Sequence, residues 1–202
     1  MILSKIGLLL FPKAIFSLPV LGKKMIYLTF DDGPTTEITP WVFEILEKHQ
    51  IKATFFLLGT EVVKFPELMS LYHSKGHQIG NHGFEHFDGW KTDKSQYLEN
   101  ILKNKKQIAS NLFRPPYGRI TPAIYKTIKN QFKIIFWNKM IGDYNQKIIS
   151  ESEINHFLKK LKNGDIIVLH DNKKSFHNLK NILPMIIEYG KKNHFEFGII
   201  EN

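Results

Sequence analysis

From Met25 onward the chain alternates short apolar runs of strand length with longer segments of helical period, and this alternation constrains its fold more than any other feature. Strand-length runs stand at Met25–Phe30, Ala53–Leu58, His77–Gly80, Leu112–Arg114, Phe132–Trp137, Ile166–Leu169 and Phe195–Ile200. Helical periodicity fills the intervals at Thr39–His49, Pro66–Ser74, Lys94–Ser110, Thr121–Lys129, Glu151–Lys162 and Leu179–Tyr189. Six crossovers between seven strands predict a parallel sheet, either closed as an α/β barrel or open and doubly wound. A chain of 202 residues has room for one such domain, and no repeat, low-complexity tract or linker divides it.

Composition narrows the chemistry. The chain has no cysteine, which excludes disulfide frameworks, thiolate zinc sites, iron–sulfur clusters and Cys nucleophiles, so any metal must sit on His, Asp or Glu. The formal charge of +9 favours anionic surroundings without choosing among acidic polymers, membrane headgroups and nucleic acid. The Lys-rich stretches Lys103–Lys106, Lys159–Lys162, Lys173-Lys174 and Lys191-Lys192 read as solvated faces, and with no accompanying nucleic-acid motif a nucleic-acid partner is not expected. Residues Ile6 to Leu21 are mostly apolar, but Pro12, Lys13 and Pro19 interrupt them and they fall short of the ~20 apolar residues of a transmembrane span. Lys5 before Ile6–Phe11 gives a weak signal-like character, without an A-x-A cleavage site and so without a convincing cleavable signal peptide. Residues 1–24 are expected to form a tail packing on a catalytic domain of residues 25–202, while compartment (cytoplasmic or cell-envelope associated) and oligomeric state stay open.

The polar residues of interest fall just after the strand runs, where parallel α/β folds build their sites. The first run leads into Asp31-Asp32-Gly33-Pro34, the third into Asn81-His82 with His86 four residues on, and the fourth into Arg114-Pro115-Pro116-Tyr117-Gly118. The fifth is followed by Asp143-Tyr144 and the sixth by His170-Asp171. Two imidazoles and one carboxylate form an open site for a divalent ion, and His82, His86 and one of the Asp31/Asp32 pair fit it. Adjacent carboxylates on an extended strand end point in different directions, so one can ligate metal while its neighbour faces an attacking water. Each feature alone also has an ordinary reading: a surface His pair, a turn or helix cap at Asp31-Asp32, and turn residues at Asp88 and Asp171. His73, His77, His156, His177 and His194 lie off the strand ends and are expected to pack or to face solvent.

Thr29–Pro34, the His82-x-x-x-His86 pair, Arg114–Tyr117, Asp143 and Leu169-His170, in this order, resemble the motif set of polysaccharide deacetylases, the NodB-homology domain of carbohydrate esterase family 4. The resemblance implies an α/β fold, a distorted (β/α)7 barrel, and metal-dependent removal of acetyl groups from sugars. By position it makes Asp31 the catalytic base and Asp32, His82 and His86 the ligands of a divalent metal, zinc by expectation, with cobalt, nickel and iron also suited. It makes a metal-bound water the attacker, His170 the general acid, Asp143 the carboxylate that orients it, and Arg114 the partner of the base. Tyr117 falls where a backbone N–H joins in stabilising the oxyanion. Trp137, Tyr144 and Leu169 are weaker candidates for an apolar wall against the acetyl methyl or the sugar ring.

Two departures stand out. Gly83 replaces the hydroxyl residue usual after the first His, which predicts a looser metal loop, and Met140–Tyr144 keeps only Asp143 of a motif often written D-x-x-D-W. The expected function is deacetylation of N-acetylated glycans such as peptidoglycan or chitin-like N-acetylglucosamine oligomers. An O-acetyl esterase of xylan type and a non-catalytic glycan- or polyanion-binding domain are the alternatives.

Overall fold

The computed structural model describes residues 10–202, so the signal-like character read at residues 5–9 lies outside the described residues. Eight strands form one sheet: β1 (Met25–Asp31), β2 (Thr54–Leu57), β3 (Gln78–Asn81), β4 (Leu112–Phe113), β5 (Lys133–Ile134), β6 (Lys139–Met140), β7 (Asp165–His170) and β8 (Glu196–Gly198). Every pairing is parallel, in the order β5-β4-β3-β2-β1-β7-β6, with β8 on β1. The helices are α1 (Ile38–Lys48), α2 (Gly59–Lys64), α3 (Met69–Ser74), α4 (Lys94–Lys105), α5 (Pro122–Ile128), α6 (Glu151–Leu158) and α7 (Phe176–Lys192). The fold is the expected α/β type, a curled barrel that does not close: β5 and β6 are its two ends and do not pair.

β1 is the hub. It pairs β7 along Ile26–Asp31 on one edge, and on the other it takes β8 at Met25–Tyr27 and β2 at Thr29–Asp31. Its residues are buried on both faces, as a strand between two apolar layers requires. Ile26, Leu28 and Phe30 face outward and pack with Phe55, Ile167 and Leu169 against Val42, Phe43 and Leu46 of α1 and Ile182, Leu183, Ile186 and Ile187 of α7. Tyr27 faces inward with Phe56, Leu112, Ile135, Trp137, Ile166 and Val168. The same alternation turns Thr29 and Asp31 into the interior and carries Asp31 to the carboxyl end, where the chain leaves the sheet.

Residues 10–24 lie against the open side of the barrel. Ile15 N donates to Ile134 O (2.8 Å), Phe136 N to Ile15 O (2.7 Å) and Leu18 N to Gly164 O (2.8 Å), so this segment bridges from the end of β5 to the start of β7. Phe16 stacks on Phe136 with ring centroids 4.7 Å apart. The expected Phe132–Trp137 strand pairs with β4 as a ladder only at Lys133–Ile134; Ile135 bridges to Ile15, and the carbonyls of Ile135 and Phe136 accept from the Arg114 side chain. β6 and α2 were not anticipated; two residues and six residues are too short to carry a periodic signal.

His77, read as a packing or solvated residue, packs. Its ring stacks on Phe43 (5.0 Å, 19°) and meets Phe55 edge-on (5.2 Å), Nδ1 accepts from Ala53 N (3.3 Å), and Nε2 is buried without a partner. Burial, with Lys52 and Lys75 nearby, pulls its pKa from 6.5 down to about 4. The unfolded chain therefore takes up a proton below pH 6.5 that the native state refuses until about 4, and stability falls as pH drops through that window. His77→Asn keeps an acceptor near the Nδ1 position and cannot titrate. Between pH 6.5 and 4 its unfolding free energy should fall less steeply than wild type's, by up to one proton's worth, ~1.4 kcal/mol per pH unit; parallel slopes in urea titrations across that range would refute the assignment.

Candidate active site and metal centre

Parallel register places the chemistry. Asp31 of β1 is the register partner of His170 of β7 on one side and of Phe56 on the other, and His82 N donates to Leu57 O (3.0 Å) as β3 ends. The carboxyl ends of β1, β3, β4 and β7 thus gather Asp31, Asp32, His82, His86, Tyr117 and His170 around one cavity of about 410 Å³. Trp137, Met140, Tyr144, Arg119, Asn172 and Lys174 complete its lining.

Arg114 organises the interior. It is fully buried, and its Nη1 donates to Asp31 Oδ1 (2.7 Å) and Thr29 Oγ1 (2.8 Å). Nη2 reaches Phe136 O (3.2 Å) and Nε reaches Ile135 O (3.4 Å), while the guanidinium lies 4.1 Å from the Phe56 ring centroid. Burial pulls the guanidinium pKa down, and the Asp31 carboxylate opposes that pull. The Arg114 carbonyl has a second task. It lies 2.8 Å from His82 Nδ1, and since a carbonyl can only accept, Nδ1 carries the proton and Nε2 keeps a lone pair for a cation.

Asp32 follows with a left-handed backbone, φ +79°, which swings its carboxylate away from that of Asp31. Oδ1 lies 3.5 Å from His82 Nε2 and 3.4 Å from His86 Nε2 and is buried without a hydrogen-bond donor. Oδ2 accepts from Asn172 Nδ2 (2.8 Å). One donor atom each from Asp32, His82 and His86 lie within 4.8 Å of one another. An orphaned carboxylate oxygen facing two imidazole nitrogens, one with its tautomer fixed, is a donor set that fits a divalent cation. Burial alone would raise the Asp32 pKa, but His82, His170, His86 and the Asn172 amide together hold it below the usual carboxylate value. Burial and the neighbouring His82 push His86 down to about 4, so it is neutral and able to ligate at physiological pH.

Across the cavity His170 Nδ1 lies 2.9 Å from Asp143 Oδ1, and His170 N donates to Asp143 Oδ2 (2.7 Å). Burial works against a charge on His170, but the hydrogen bond and charge of Asp143, helped by Asp31 and Asp32, raise its pKa to about 9. Tyr144 meets the His170 ring edge-on at 5.4 Å, and Tyr117, at φ +59°, meets His86 at 4.4 Å. Trp137 lines the cavity. Leu169 does not: it is wholly buried in the helix-facing core, because side chains alternate along β7 and an inward His170 forces its neighbour outward.

Asp171, read as a turn residue, is a wholly buried carboxyl. Its Oδ2 accepts from Thr39 Oγ1 (2.5 Å), its carbonyl from Thr35 Oγ1 (2.9 Å), and a Cβ on Gly33 would collide with its carboxylate. It clamps the loop after Asp32. The metal loop is likewise held without the missing hydroxyl: Gly83, at φ +86°, donates its N–H to Asn81 Oδ1 (2.7 Å), and a side chain there would strike Asn100. Asn172 carried no sequence signal beyond lying two residues after a strand-end His.

The segment 20–133 matches the family model described as polysaccharide deacetylase. The chain is 34% identical over 184 residues to a peptidoglycan-N-acetylglucosamine deacetylase of Bacillus cereus, covering 87% of this chain and 86% of that one. It is 33% identical over 188 residues to the peptidoglycan-N-acetylglucosamine deacetylase PgdA of Listeria monocytogenes, covering 88% of this chain but only 38% of that longer protein. Its structure superimposes on the crystal structure of the Bc1960 peptidoglycan N-acetylglucosamine deacetylase, solved with a bound N-hydroxybenzamide, with a TM-score of 0.86 and 30% identity over 93% of this chain and 91% of that one.

Asn172→Ala should weaken divalent-ion binding about 10- to 100-fold, the usual cost of losing an outer-shell partner, when the protein is titrated with zinc by calorimetry; unchanged affinity would make the Asn172 contact incidental. Asp143→Asn removes the charge that holds the proton on His170. The basic limb of the activity profile should then move to lower pH and the rate should fall about 10²-fold, the scale of general acid catalysis; an unmoved basic limb would separate His170 from that limb.

Proposed function

The chain belongs to the polysaccharide deacetylase family, and from that premise we propose that it hydrolyses the acetamido group of N-acetylglucosamine residues in a peptidoglycan-type glycan. The observation that carries this reading is the division of labour between adjacent carboxylates: Asp31 is tied to Arg114, and Asp32 is aimed at His82 and His86. Asp32, His82 and His86 would hold the divalent ion, and we propose zinc, which two imidazoles and a carboxylate suit with positions left open. When bound, the ion supplies Lewis acidity to the acetyl carbonyl and makes a water easier to deprotonate.

The chain's own groups do the rest. Asp31 spends Oδ1 on Arg114 and keeps Oδ2, 3.9 Å from His82 Nε2, to take the proton of the attacking water. The Arg114 pair fixes the rotamer of that carboxylate. His170, with Nδ1 committed to Asp143, gives the proton on Nε2 to the departing sugar amine, and a pKa near 9 keeps that proton on the ring at neutral pH. Trp137, Met140 and Tyr144 line the cavity as the apolar wall for the acetyl methyl and sugar ring. The backbone N–H of Tyr117 is proposed to donate to the oxyanion that develops on the acetyl carbonyl.

Acetate release from N-acetylglucosamine oligomers should stop on chelation and return when zinc is restored. Asp31→Asn should lose about 10²- to 10⁴-fold in kcat, the range for a positioned base, while binding zinc as wild type does. Full activity under chelation, or in Asp31→Asn, would refute the mechanism.

A further inference from the structure

Trp90 is 66% exposed, whereas Trp137 is buried and Trp41 packs on Phe176. Its backbone is nevertheless held on several sides. Trp90 N donates to Asp88 Oδ1 (2.9 Å), Thr92 N and Lys91 N donate to Asp88 O (2.9 and 3.0 Å), and Asp88 Oδ2 accepts from Arg119 Nη1 (2.5 Å). Gly89 lies against the Arg119 carbonyl with no room for a Cβ. The Arg119 guanidinium sits over the Trp90 ring, 4.9 Å from its centroid, and 5.6 Å from that of Tyr117. A large aromatic with one face braced by a cation, the rest open to water, and its loop fixed at both ends is presented rather than packed.

Its position gives that presentation a purpose. Tyr117 and Arg119 line the catalytic cavity, and Tyr117 in turn packs on His86. His86, Tyr117, Arg119 and Trp90 therefore form a continuous run of planar groups from the metal donors to solvent. A pyranose offers an apolar C–H face with a rim of hydroxyls, which suits an indole face flanked by guanidinium N–H donors. We propose that Trp90, braced by Arg119, is a stacking platform for a sugar ring of the glycan other than the one losing its acetyl group. The identity of that glycan rests on the deacetylase reading; the platform itself rests on the contacts of Trp90.

The test uses the zinc-loaded Asp31→Asn protein, titrated by calorimetry with the N-acetylglucosamine dimer and hexamer, with and without Trp90→Ala. The hexamer should bind more tightly than the dimer. Trp90→Ala should weaken hexamer binding about 3- to 10-fold, the scale of one aromatic contact, and leave the dimer unchanged. Trp90→Tyr should restore most of the loss, and in the otherwise wild-type enzyme Trp90→Ala should raise KM for the hexamer with kcat intact. Equal effects on dimer and hexamer, no effect on either, or no length dependence would overturn the proposal. So would a Trp90→Ala change in sedimentation-measured oligomeric state with glycan affinity unaltered, which would make Trp90 a self-association contact. Length-dependent binding through Trp90 in a protein that releases no acetate would overturn the catalytic reading and keep the platform; acetate release indifferent to Trp90 would do the reverse.

Discussion

The ion pair between Arg114 and Asp31, sealed inside the barrel, is the interaction on which the site depends. A guanidinium or a carboxylate alone in that interior would be strongly disfavoured, and removing one member of such a pair typically costs ~3–5 kcal/mol because the other is stranded. Here the pair is completed by Thr29 and by the carbonyls of Ile135 and Phe136, so most of the guanidinium's donor directions are used. The same residue sets the tautomer of His82 through its carbonyl. One buried side chain just past β4 thereby fixes the Asp31 carboxylate at the end of β1, and its backbone carbonyl orients the His82 ring after β3.

Around that pair, groups of similar chemistry are driven to different states by their surroundings. Asp31 accepts a cationic side chain, Asp32 accepts a neutral amide and faces two imidazoles, and Asp171, wholly buried with a threonine hydroxyl for company, is pushed up to about 7. The histidines diverge in the same way: His86, desolvated and beside another imidazole, is held down to about 4, while His170, bonded to Asp143, is held up to about 9. Like side chains are thus set to different states by placement alone.

Much of this was legible in the chain. Strand runs such as Met25–Phe30 and Ile166–Leu169 are buried on both faces, so their apolar content is dense enough to read, and parallel topology puts their ends together whatever the intervening helices do. Hence Asp31, His82, His86, Arg114, Asp143 and His170 could be gathered before any coordinates. What escaped depends on three-dimensional neighbours rather than on pattern. Leu169 looked like a cavity residue from proximity to His170, but the pleat sends it the other way. Asn172 and Asp171 act through contacts with residues some 130 to 140 positions away, and no local spacing announces them. The bridging of β5 and β7 by residues 15–18 could not be read because isolated bridges carry no periodic signature.

Asp31 and His170 are register partners on neighbouring strands, so their separation is set by the lattice of the sheet rather than by any loop. In a pleated ladder a slip of one residue turns a whole row of side chains to the opposite face. A single-residue insertion or deletion within β1 or β7 would therefore exchange core for cavity: Phe30 or Leu169 would face the cavity and Asp31 or His170 would be driven among the helices. The reaction and the hydrophobic core are consequently one specification written in the same two strands.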